Sequence, residues 1–220
     1  SLEVQRQVVI EEFKQRNLNQ PYGDTSHIVR DMAYKVHPYK WPTIGKEISH
    51  IENATMEDVR SFFFSHYAPN NAILAVTGNI SFEETIAMAE KWFGPIQRRD
   101  VIKRNLIKEP EQLQERRETV ERNVPVDAIY MAFHMSNRKD RDYYAYDMLS
   151  DLLSNGRSSR FIQNLVQEKK LFSNIDAYIS GSVEEGLFHI SGKPVPSISL
   201  KDAEKATWEE LEAIKSSELP

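Results

Sequence analysis

Apolar residues recur at helical spacing from the start of the chain. Val8, Val9 and Phe13 fall on one face of a helix that begins near Val4 and ends near Leu18-Asn19-Gln20-Pro21. Gln5 and Glu12 lie close to that face, whereas Glu11 points about 100° away. Asp24 or Thr25 caps a second helix whose stripe is Ile28, Val29, Met32 and Val36, and an extended loop follows, His37-Pro38-Tyr39-Lys40-Trp41-Pro42-Thr43-Ile44-Gly45. Thr55 with Asp58 opens a helix carrying Val59, Phe62, Phe63 and Tyr67; Ser81 with Glu84 opens another carrying Ile86, Ala89, Trp92 and Phe93, which stops at Gly94-Pro95. Between them Ala72–Gly78 is a continuous apolar run, as in a strand buried on both faces. From Ile96 to about Glu115 the apolar period lapses into a charged stretch that reads as a solvated linker.

The second half opens on strands. Glu118–Arg122 alternates, and Ala128–Met135 is denser. A helix over Asp140–Leu153 sets Tyr144, Met148 and Leu152 in one row and ends at Asn155-Gly156. Ser158-Ser159 caps a helix through Phe161, Ile162, Leu165 and Val166; Leu171–Ser180 and Leu187–Ser191 form a hairpin around 181–186; Ser199 with Asp202 opens a last helix carrying Ala203, Trp208, Leu211 and Ile214. Strands and helices mix without βαβ alternation, so the expected class is α+β.

Composition narrows the function. With 40% hydrophobic and 28% charged residues the chain is that of a folded protein, and its 220 residues suit one large domain or two ordinary ones. A net charge of -5 gives no basic face for nucleic acid. The absence of cysteine excludes disulfides, thiolate zinc sites and cysteine nucleophiles, and leaves the compartment open. No apolar run is long enough to span a membrane. The start inside a helical pattern, without a signal peptide, reads as an excised segment. His27, His37, His50, His66, His134 and His189 include no i, i+4 pair, so no helix offers two imidazoles to a metal and each histidine reads as structural or exposed. No Gly-x-Ser-x-Gly elbow and no phosphate or dinucleotide loop is present. Gly156-Arg157-Ser158-Ser159-Arg160 reads either as an anion-binding helix entry or as a cap glycine followed by a cap serine.

A resemblance changes the weight of the first helix. Arg6–Phe13, the His37-Pro38-Tyr39-x-x-Pro42-x-Ile44-Gly45 loop, Phe64-x-x-Tyr67-Ala68-Pro69-Asn70-Asn71-Ala72 and Val76-Thr77-Gly78 occur in the order found in the pitrilysin/insulinase family of zinc metallopeptidases. Leu152-Leu153-x-x-Gly156-x-Ser158-Ser159-Arg160-Phe161, followed by Leu165 and Leu171, is similar to that family's second domain. The chain resembles the bacterial and mitochondrial-processing-peptidase-like branch over nearly its whole length.

The resemblance implies two α/β-roll halves of the LuxS and processing-peptidase type, the first of them truncated. Residues 1–97 would be the C-terminal part of a first peptidase domain, 98–115 a charged linker, and 116–220 a second, inactive-type domain open to truncation at its C-terminal end. In the family, an inverted His-x-x-Glu-His helix supplies two zinc ligands and the general base, and a later glutamate supplies the third ligand. Carried over, that third ligand is Glu12, and Gln5 stands where the family often has another glutamate, as a neighbour able to hydrogen-bond without charge. No catalytic base lies within the chain. The expected function is therefore a fragment of a zinc-dependent endopeptidase that hydrolyses peptides with a zinc-activated water, inactive and without Zn2+ on its own. The alternatives are a non-catalytic scaffold or peptide-binding subunit of the same fold, and a generic α+β domain. The family's partner half carries an Arg and a Tyr seven residues apart, where this chain has Val166 and Ser173. The chain would then pair with a second homologous half or subunit and take a peptide substrate as a strand added to a sheet edge. The bacterial branch points to periplasm or cytoplasm rather than secretion.

Overall fold

The computed structural model describes residues 1–102 and 104–216. They form two compact units that interleave along the chain, the described residues of 1–14 with 43–108, and of 15–42 with 109–216.

The first unit is helical. Helix α1 (Leu2–Phe13) starts at Ser1, whose hydroxyl accepts from the Val4 N–H at 3.5 Å, and buries Ile10 and Phe13. It packs on the short helix α3 (Ile48–Glu52), beside which the Arg6 guanidinium donates to the Ala54 carbonyl at 2.6 Å. Helices α4 (Met56–His66) and α5 (Phe82–Phe93) both start at the capping boxes expected, Thr55 with Asp58 and Ser81 with Glu84. In each box the carboxylate takes hydrogen bonds from the cap hydroxyl and backbone, which hold the Asp58 and Glu84 carboxyls below their ordinary range. Residues 72–77, in contrast, are no buried strand. They pair with no strand among the described residues, and Ile73 is fully exposed. Phe62, Phe63, Ile86 and Trp92, the apolar stripes of α4 and α5, are exposed as well. The pattern marks surfaces built for burial, yet these side chains meet only partial cover, such as Arg99 and Tyr67 against Phe63 and Lys91 over Trp92, and stay exposed.

The second unit has a core. Strands β1 (Ile129–Met135), β2 (Phe172–Ser180) and β3 (Gly186–Pro194) form an antiparallel sheet in the order β1-β3-β2, with Phe133 opposite Phe188 and Ala177 opposite Ile190. Alternation along β3 serves both faces. Phe188 and Ile190 join Leu153, Phe161, Leu165, Phe172, Ile175 and Ala203 under helices α6 (Asp142–Ser154) and α7 (Leu200–Ser216) and a π-helical segment (Phe161–Glu168). Leu187 turns to the other face and packs with Ala33 and Tyr34 at the end of helix α2 (Thr25–Ala33). At Gly192 a Cβ would lie 2.7 Å from the Phe172 ring, so the close approach of β3 to that ring requires glycine.

Several expectations change here. Residues 118–122 are not a strand. On α6 the row Tyr144 and Met148 faces solvent, and the buried side is Ser150 and Leu153 with Leu149 beside them. Helix α2 stops at Ala33 and leaves Val36 exposed. Ser158 and Ser159 do not cap; the Ser159 hydroxyl donates back to the Gly156 carbonyl at 2.7 Å, and Gly156 takes the left-handed φ of 89° that ends α6. Arg160 is held by the buried Glu210, with Nε and Nη2 each 2.8 Å from Oε1, so this turn is a structural joint and not an anion site.

The charged stretch is not solvated throughout. Glu109 is 6% exposed, and its carboxylate accepts the backbone N–H groups of Lys35 (2.6 Å), Val36 and His37 (both 2.9 Å). Burial pushes this carboxyl up, but the three N–H groups and the nearby His134 outweigh that and hold it below the ordinary glutamate range. Arg116 donates to the Ala33 carbonyl at 3.1 Å, fixing the end of α2 from the same stretch.

Candidate functional site

Glu12 sits in the last turn of α1, half-buried, and Gln5 lies exposed two turns earlier on the same side of the helix. The helix therefore offers one carboxylate and one amide on a shared face. A hydrolytic zinc needs three protein ligands and an open position. No group of three or more His, Asp or Glu residues that could hold a metal occurs among the described residues. The side chains present do not fit a complete zinc centre.

Three of the histidines are held within the second unit by contacts of their own. His37 is buried and its Nδ1 accepts from the Tyr39 N–H at 3.1 Å. His134 Nε2 is 3.0 Å from the Ala33 carbonyl. His189 stacks on Tyr178, with Nε2 2.8 Å from the Ser180 hydroxyl, and burial, aided by the charge of Arg30, pushes its imidazole down to about 4. Val166 packs at the margin of the core, and the Ser173 hydroxyl donates to the Lys193 carbonyl at 3.0 Å, so neither position reaches out as an Arg or Tyr would.

Both β1 and β2 are edge strands of the sheet in the second unit, and the outer edge of β2 is the one that borders a cavity. Among the described residues, strand β2 pairs with β3 on one side only. At Ala177 both the N–H and the carbonyl turn away from β3 and meet the Ser154 hydroxyl, each at 2.9 Å. Ala177 and Ile190 are thus a non-hydrogen-bonded pair, and by alternation the backbone groups of Ile175 and Ile179 face the same outer side. Beside this edge lies a cavity of about 330 Å³ between the C-terminal half of α6 and β2. Asp147, Asp151 and Asp176 line it, and no Lys or Arg does. The arrangement offers backbone pairing groups in an acidic setting.

The profile of the peptidase M16 inactive domain matches residues 53–220. The chain belongs to the peptidase M16 family. It is 30% identical over 218 residues to the zinc protease PqqE of Helicobacter pylori (strain ATCC 700392 / 26695), covering 98% of this chain and 49% of that protein. A stretch of 99 residues is 29% identical to the probable mitochondrial-processing peptidase subunit beta of Schizosaccharomyces pombe, covering 44% of this chain and 21% of that protein. The crystal structure of a protease from Helicobacter pylori superposes with a TM-score of 0.88 at 28% identity, covering all of this chain and 54% of that one. This M16 chain spans about half the length of PqqE. The family resemblance read from the sequence is therefore correct, and most of the chain matches its inactive-type domain.

Sequence reasoning missed the β2 edge. Two signals for it were available: the alternation of Ile175, Ala177 and Ile179 with Asp176 and Tyr178, and the i, i+4 pair Asp147 and Asp151 on α6. What it lacked was the strand order, which decides that β2 and not β3 is at the edge.

Proposed function

We propose that this chain is the peptide-holding, non-catalytic portion of a longer zinc peptidase, and that it binds an extended cationic peptide as a strand added to the outer edge of β2. The outer edge carries this reading: by alternation Ile175 and Ile179 turn their backbone groups outward on either side of Ala177, whose own pair is held by Ser154, beside a cavity lined by three aspartates. Main-chain pairing supplies affinity with little side-chain selection, and the carboxylates favour a Lys, an Arg or a free amino terminus near that edge. In the longer protein, Glu12 is one ligand of a zinc whose remaining ligands and general base lie outside this chain, with Gln5 as a hydrogen-bonding neighbour. The relatives named zinc proteases, about twice this length, support that part.

The test uses Ile179→Pro, which removes an outward N–H while sparing the ladder to β3. Fluorescence polarisation with a labelled, unstructured, Lys-containing decapeptide is expected to show binding by the unmodified chain and at least a roughly tenfold loss in the variant. Circular dichroism confirms that the variant is folded. Equal affinity in a folded variant overturns the reading.

A further inference from the structure

The edge of β2 is not empty at its middle position. Ser154, in the last turn of α6, places its hydroxyl 2.9 Å from both the N–H and the carbonyl of Ala177. The hydroxyl accepts from the N–H, and its single proton has three acceptors within reach, the Ala177 carbonyl, Asp176 Oδ1 at 2.8 Å and, more distantly, the Ser150 carbonyl at 3.4 Å. One side chain therefore does what one residue of a neighbouring strand would do, engaging the donor and the acceptor of a single outward-facing residue.

We infer that Ser154 is a built-in plug on the β2 edge, which holds the pairing position of Ala177 until an added strand displaces it. The plug follows from the geometry alone; its role as a competitor rests on the strand-addition reading above. An incoming antiparallel strand makes its own pairs with Ile175 and Ile179, but at Ala177 it must take over a site already hydrogen-bonded. Displacement breaks the serine's hydrogen bonds and draws the last turn of α6 back from the edge, because a hydroxyl 2.9 Å from both backbone groups holds the Ser154 backbone about where an added strand would run. Without a strand, the same contact blunts an edge that would otherwise be free to pair with another chain.

The plug sets a direction for mutation that a merely supportive residue does not. Ser154→Ala removes the competitor, keeps the helix favourable and is expected to tighten binding of the Lys-containing decapeptide about tenfold, the equivalent of one hydrogen bond that no longer has to be broken. Ser154→Thr keeps the hydroxyl and is expected to bind as the unmodified chain does. Amide exchange followed by NMR reads the plug without peptide: the Ala177 amide is expected to exchange faster in Ser154→Ala and at the original rate in Ser154→Thr. Unchanged Ala177 exchange in Ser154→Ala overturns the plug. Faster exchange with unchanged or weaker peptide binding overturns its role as competitor. Faster exchange with no peptide bound by any of the three proteins overturns strand addition itself, and the hydroxyl is then an edge cap only.

Discussion

Removing the Glu109 carboxylate tests whether a residue in a charged, irregular stretch holds the second unit together. Three backbone N–H groups converge on it within 2.9 Å, from Lys35, Val36 and His37. In Glu109→Ala the first two can turn to water, because Lys35 and Val36 are exposed, and each costs about 1 kcal/mol. The third belongs to His37, which is 4% exposed, and leaving that N–H without an acceptor costs about 2–3 kcal/mol. The expected loss is about 4–5 kcal/mol, a fall of roughly 2 M in the urea midpoint for a typical slope. Glu109→Gln keeps one acceptor oxygen but no charge, and is expected to lose about half as much. Amide exchange at residues 35–37 should accelerate in both variants. The pH dependence has a definite sign. The folded carboxyl is held below the ordinary glutamate value, so its contribution is complete above about 4.3 and is lost as pH falls through the folded value. The stability gap between the unmodified chain and Glu109→Gln should therefore close on acidification. A urea midpoint within about 0.3 M of the unmodified chain, with residues 35–37 still protected in Glu109→Ala, would refute this account.

Two further outcomes are expected. His189 is pushed down to about 4 by burial, against an ordinary 6.5, so the unfolded chain takes up the proton first and stability falls as pH drops from about 6.5 towards 4. At 1.36 kcal/mol per pH unit the effect is at most about 3.4 kcal/mol, and urea titrations across that window should show a shallower slope for His189→Gln; equal slopes would remove His189 as the cause. In the longer zinc peptidase proposed above, Glu12→Gln is expected to abolish zinc retention, measured as metal content after dialysis, while circular dichroism stays unchanged. Stoichiometric zinc in that variant would disprove the ligand assignment.

Local rules were legible in the sequence where the chemistry is local. Thr55 with Asp58, and Ser81 with Glu84, need only their own four residues, and both boxes form. The hairpin around 181–186 and the stop at Gly156 are local for the same reason. What depends on distant partners was not legible. Glu109 reads as one charge among many because its three donors lie more than seventy residues away in sequence. Tyr144 and Met148 share a helical row with Leu152, yet the sheet lies under the Ser150 and Leu153 side, a choice that the period alone does not make. The open edge of β2 likewise follows from β3 pairing in the middle, a property of strand order.

The two units show what an apolar pattern specifies. In the second unit, β3 alternates Leu187, Phe188 and Ile190, and each finds a cover within the unit, Leu187 beneath Tyr34 and the other two beneath α6 and α7. In the first unit, the patterns on α4, α5 and 72–77 are just as regular, and capping there is better formed. Even so, the buried hydrophobic residues of the first unit are Ile10, Phe13 and Ala68, none of which lies in those elements. Capping and helical period fix a local conformation at little cost, whereas burial needs a second surface. A sequence can state which face of an element is made to be covered. Whether it is covered depends on residues that carry the complementary face, and for Ile73, Phe62 and Trp92 those are not among the residues that pack within this unit.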